Sequence, residues 1–188
     1  MNIGIGPAVV IALIVGIAIG VVLIYLVQQS RTRKLKGRFG PEYDRVVTET
    51  GNRSAAEAKL IHRQRRVDKL HIRPLEANER LHFQEGWRDI QTHFVDDPSE
   101  ALTEADRLIA EVMAAEGYPM REFDERAADI SVDHPVVIEN YREGHSIATR
   151  NVQGRATTED LRKAMIHYRT LFEELLGQRE LAQAERSR

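Results

Sequence analysis

The sequence predicts an all-α protein: a single N-terminal transmembrane helix followed by a compact helical domain of five or six helices. Three observations predict it. Residues 1–30 hold no charged side chain, and Pro7 to Val27 is an unbroken apolar run. Beyond that run, helix start and stop signals recur along the chain. Period-two alternation, the mark of a half-buried strand, is almost absent.

The apolar run, residues 7–27, would extend about 31 Å as a helix, the thickness of a bilayer core. From Val9 to Val27, 14 residues are Val, Ile or Leu. Their transfer into lipid favours insertion by several kcal/mol in sum. Eleven of these are β-branched, a handicap for a helix in water. In lipid the handicap loses, because a lone spanning segment must satisfy its own backbone. A cleaved signal peptide would carry basic residues before a shorter apolar core. Here the basic residues follow it: Arg31, Arg33, Lys34, Lys36 and Arg38. That order predicts an uncleaved anchor in a cell's inner membrane, N-terminus outside and the remaining chain cytoplasmic. The implied division is an anchor at 1–30, a basic juxtamembrane connector at 31–40, a helical domain at 41–177 and a polar tail at 178–188. The five basic residues are the expected membrane-surface contacts, and the bilayer the expected partner. Ala8, Ala12, Gly16 and Gly20 recur every fourth residue, a small-residue face suited to a homodimer.

In the domain, Pro41 opens a short helix that Gly51 can end. Ser54 and Glu57 suggest a capping box for a charged helix over about 54–71, with a weak stripe of Ala56, Leu60, Val67 and Leu70. The next helix, about 75–95, carries Phe83, Trp87, Ile90 and Phe94 at steps of four, three and four, which places the sole tryptophan in the core. Asp97, Pro98 and Glu100 mark a third start, and Gly117-Tyr118-Pro119 its stop. A short helix near 120–130 follows. In "SVDHP" the same Asp-before-Pro pattern recurs, so Asp133 or His134 is expected to cap a helix running from Pro135. Thr157 and Asp160 start the last helix, about 158–176, whose stripe is Leu161, Met165, Tyr168, Phe172 and Leu175.

Composition and motifs exclude much chemistry. The chain has no cysteine, so disulfides, Cys-ligated metals and thiol catalysis are out. Only Glu79 with His82 gives the Glu-x-x-His spacing, where a di-metal bundle needs two copies. No HExxH, P-loop or GxGxxG occurs, so neither metal nor cofactor is expected. Residues 31–73 carry 13 Lys/Arg against 5 Asp/Glu, and residues 74–188 carry 14 against 24. The basic run from Lys59 to Arg73 lacks interleaved aromatics, which argues against nucleic acid. His62, His71, His93 and His167 are scattered. A helix from Pro135 would separate His134 and His145 by about 16 Å, too far for one metal. No catalytic residue is assigned.

The strings "RFGPEYDRVV", "GYP", "SVDHPVVIENYR" and "TEDLRKAMIHYRTLF" resemble a group of uncharacterised bacterial proteins with a short N-terminal hydrophobic segment and a polar helical remainder. The resemblance covers about residues 38–176. It implies a bacterial origin and one domain, and supplies no catalytic residues. The function the sequence points to is binding or scaffolding at the cytoplasmic membrane face. The alternative is a membrane-tethered enzyme or small-ligand sensor built on Tyr141, Arg142 and His145 with His167.

Overall fold

The structure, a computed structural model, describes residues 5–177, with side chains from Ala12 onward. The tail at 178–188 and the side chain of Ala8 lie outside the described residues. Eight helices and no strand occur among those described: α1 (Ile5–Phe39), α2 (Pro41–Thr50), α3 (Arg53–Val67), α4 (Ala77–Asp96), α5 (Pro98–Glu116), α6 (Phe123–Asp133), α7 (Ile138–Val152) and α8 (Thr158–Leu175). Seven follow the apolar N-terminal helix, against the five or six expected.

The N-terminal helix is long and apolar enough to cross a membrane, and none of its apolar window is buried in the protein. Residues 31–39, within the expected connector, are helical. They are the last turns of α1 itself. Leu35 and Phe39 are buried with Tyr43, Val46, Ala56, Leu60, Val67 and Val132 in a first core formed by α1, α2, α3 and α6. A helix whose polar end still carries a buried face has no reason to break where its apolar run ends. Gly40, with φ at 48°, turns the chain into α2.

The second core is larger. It fills the space between α4, α5, α7 and α8, and includes Phe83, Trp87, Ile90, Leu102, Ile109, Met113, Tyr141, Tyr168 and Phe172. Trp87 stacks on Phe172 at 4.7 Å between ring centroids. The predicted α8 stripe is buried throughout, from Leu161 to Leu175. Helices α7 and α8 approach closely at Gly144: a Cβ there would stand 2.7 Å from the Tyr168 ring. Leu70 and Ile72, from the irregular segment after α3, pack against both cores.

Most local signals hold. Asp97 caps α5 by accepting from the amides of Ser99 and Glu100, both at 3.0 Å. Thr157 and Asp160 form the reciprocal box of α8. Gly117 ends α5 in the left-handed region, and the Tyr118 amide donates to the Met113 carbonyl. A side chain at 117 would also collide with the His71 carbonyl, 2.6 Å from the Cβ position. Two signals fail. Asn52, not Ser54, caps α3, its side chain accepting from the Ala55 amide. Asp133 does not start a helix: it is the last residue of α6, and His134 to Val137 form the turn before α7.

Candidate functional site

The residues singled out around α7 are divided among three sets of partners. Tyr141 is fully buried and its ring lies 4.9 Å from that of Phe123, on which His145 stacks at 3.6 Å. His145 Nδ1 stands 3.9 Å from Asp106 Oδ1, beyond a direct hydrogen bond. The Tyr168 hydroxyl does reach Asp106, at 3.0 Å. Burial alone would raise the Asp106 carboxyl, but His145, Tyr168 and Arg126 outweigh it and hold it below its ordinary value. Tyr141 is pushed up by burial, so it stays a neutral phenol. Arg142 points elsewhere, to Glu42. His167 pairs with Asn140 Oδ1 at 2.9 Å.

Glu42 was not singled out by the sequence. It sits in the first turn of α2 and is 1 % exposed. Arg142 donates to both its oxygens, at 2.6 and 2.9 Å, and Arg63 of α3 donates at 2.6 Å. Burial would raise this carboxyl; the Arg142 and Arg63 contacts overcome that and lower it. The node ties α2 and α3 of the first core to α7 of the second. Nearby, Asp129 of α6 accepts from Arg66 at 2.7 Å. These groups neutralise one another, as buried charges must.

One acid has no such partner. Glu116, the last residue of α5, is 6 % exposed, and its Oε2 has no hydrogen-bond partner among the described residues. Burial raises its pKa first, the nearby Asp133 raises it further, and Arg73 only partly opposes them; the result is about 8. Glu116 lines a groove of about 520 Å³ with Ile72, Leu75, Arg80, His134 and Leu175. His134 Nδ1 lies 3.5 Å from Glu174 Oε1 at the same place. Beside it the Tyr118 hydroxyl donates to Asp133 Oδ2 at 2.9 Å, and Arg38 of α1 approaches Asp133 Oδ1 at 3.5 Å. A sequence signal existed for Glu116: a carboxylate in the last turn of a helix opposes the helix dipole, so its charged form is disfavoured there even before burial.

Chemically, this arrangement suits recognition. An apolar groove with one neutral acid, a His–Glu pair and arginine at its edge has the make-up of a small-molecule pocket. No cluster of three or more His, Asp or Glu residues suited to a metal occurs among the described residues. No protein-family model, curated protein or solved structure matches this chain.

Proposed function

We propose that this chain is a single-pass inner-membrane protein that presents a helical binding or scaffolding module to the cytoplasm. The observation that carries the reading is the continuity of α1. One helix runs from the apolar segment into the first core, where Leu35 and Phe39 are buried. A tether would leave the domain free to tumble; this join fixes its orientation to the anchor. The basic residues after Val27 support the N-out orientation. Of these, Lys36 pairs with Asp44 at 3.4 Å and Arg38 with Asp133 and Asp68 at 3.5 and 3.8 Å, so part of their charge serves the domain. Paired C-terminal reporters test the topology: a fluorescent protein should glow and alkaline phosphatase stay inactive. Phosphatase activity would overturn the orientation. Site-specific photocrosslinking from exposed Val152 or Met120 in cells tests the module, with discrete adducts expected; their absence at every exposed position overturns binding.

The Glu116 groove favours a second reading, a small-ligand sensor. In that reading the ligand seats at Glu116, His134 and Leu175 and not at Tyr141, Arg142, His145 and His167. Saturating ligand would raise the melting temperature of the wild type and not of a Leu175→Trp variant that fills the groove.

A further inference from the structure

The domain folds back onto the anchor close to where the apolar run ends. Thr32, five residues past Val27, lies about 7.5 Å further along the axis. Its hydroxyl donates to Glu57 Oε1 of α3 at 2.6 Å, and the Tyr43 hydroxyl donates to the same oxygen at 2.9 Å. Arg53 Nε adds a third contact to it at 3.3 Å. The headgroup layer on each side of a bilayer is roughly 5–8 Å deep. The α2–α3 turn is therefore held at headgroup depth, with the start of α3 facing α1.

Between the two helices lies a cleft of about 410 Å³ lined by Tyr25, Gln28, Gln29, Arg31, Arg53 and Ser54, with Thr32 and Glu57 at its inner end. The cleft is graded along the membrane normal. Tyr25 belongs to the last turns of the apolar run, where an aromatic ring with a polar tip suits the interface. The glutamines and arginines come next. Glu57 is the only acid in the lining, and three donors occupy it. Burial would raise its carboxyl, but Thr32, Tyr43 and Arg53 outweigh burial and lower it. Among the described residues no carboxylate lies within ion-pair distance of Arg31, and Arg53 shares its charge with Glu57. Two arginines and one carboxylate already held by three donors thus line the cleft, together with Tyr25 from the apolar run.

We propose that this cleft seats the headgroup phosphate of an anionic phospholipid, held between Arg31 and Arg53, with the acyl end against Tyr25. The proposal rests on the membrane reading above. Guanidinium forks suit phosphate oxygens, and Gln28, Gln29 and Ser54 can bond the glycerol part.

The full chain is reconstituted into nanodiscs of phosphatidylcholine with and without phosphatidylglycerol, and lipid retained after release is read by native mass spectrometry. Wild type should keep one phosphatidylglycerol in preference to phosphatidylcholine. Arg31→Gln should lower that retention about tenfold or more, from the loss of a charge-assisted bond. Ser54→Trp, which fills the cleft and changes no charge, should do the same. Arg33→Gln removes equal charge from the same helix outside the cleft lining and should retain the lipid. Equal loss in Arg31→Gln and Arg33→Gln would mean surface attraction only and overturn the site. So would equal retention of the two lipids, or displacement of the lipid by inorganic phosphate alone. Melting temperatures of the three variants separate a lost site from a lost fold, and Arg31→Gln, on an exposed position, decides if Ser54→Trp melts early. Failure of the chain to enter nanodiscs of either composition would sink the membrane reading itself.

Discussion

Glu116 gives the sharpest test of the second core's edge. Its carboxyl moves from an ordinary 4.5 to about 8 because burial and Asp133 disfavour the charge. Between those values the folded state holds a proton that the unfolded chain has released. Stability must therefore fall as pH rises from about 4.5 to about 8, and the contribution is flat outside that window. At 1.36 kcal/mol per pH unit, the gap sets a ceiling of about 5 kcal/mol. Glu116 lines an open groove, and water there relieves part of the cost, so about 3 kcal/mol is expected. Glu116→Gln removes the titration and keeps the shape. Chemical denaturation of the full chain in neutral detergent micelles, followed by circular dichroism, would be run for both proteins from pH 4 to 9. The variant should match wild type near pH 4 and gain about 3 kcal/mol on it by pH 8.5. Arg73, Arg80, His134 and Glu174 also surround the groove, which is why the difference between the two proteins is the quantity to read. A difference that stays constant across the window would refute the reasoning.

Glu42→Gln should destabilise the chain by about 3–5 kcal/mol, because it leaves Arg63 and Arg142 buried beside a neutral amide; an effect below about 1 kcal/mol in the same denaturation assay would mean that water reaches the node. Asp133→Ala should cost about 1–3 kcal/mol by stranding the buried Tyr118 hydroxyl, whereas Asp133→Asn keeps an acceptor and costs less. Asp133→Asn should also move the Glu116 step to lower pH, since it removes a charge that raises Glu116; an unmoved step would show that the two carboxyls do not interact.

The helices themselves were legible because their signals are local. Asp97 before Pro98, Thr157 with Asp160, and Gly117 before Tyr118 each satisfy backbone groups within a few residues, so the string carries the information. The "SVDHP" stretch misleads for the same reason. Proline is tolerated in the first turn of a helix and is also common just after one ends. Only the helix already running from Phe123 decides that Asp133 is an end. Ser54 and Glu57 fail differently: Glu57 is taken by Thr32 and Tyr43 across the first core, and Asn52 does the capping. Glu42 and Arg142 are a hundred residues apart, and no spacing rule reaches that far. The expected connector at 31–40 hides its packing residues. Its charges are conspicuous, while Thr32, Leu35 and Phe39, which carry the join, are few and spaced at three and four among polar neighbours.

The join bears on how the two cores relate. Arg38 lies on α1, and its guanidinium approaches Asp133; Asp133 in turn accepts from Tyr118 and raises Glu116. Helix α1 therefore stands two contacts from the Glu116 groove. On the other side, Glu42 follows α1 by three residues and clasps Arg142 of α7. Two polar connections thus link the first core to the larger one, one at Asp133, the last residue of α6, and one at Arg142 within α7. An independent domain on a flexible stalk would need neither. Buried ion pairs stabilise a fold weakly compared with apolar packing, but they penalise mispairing severely. In this chain the Glu42 node joins α2 and α3 to α7, so a second core displaced from this arrangement would leave Glu42, Arg63 and Arg142 buried without their partners.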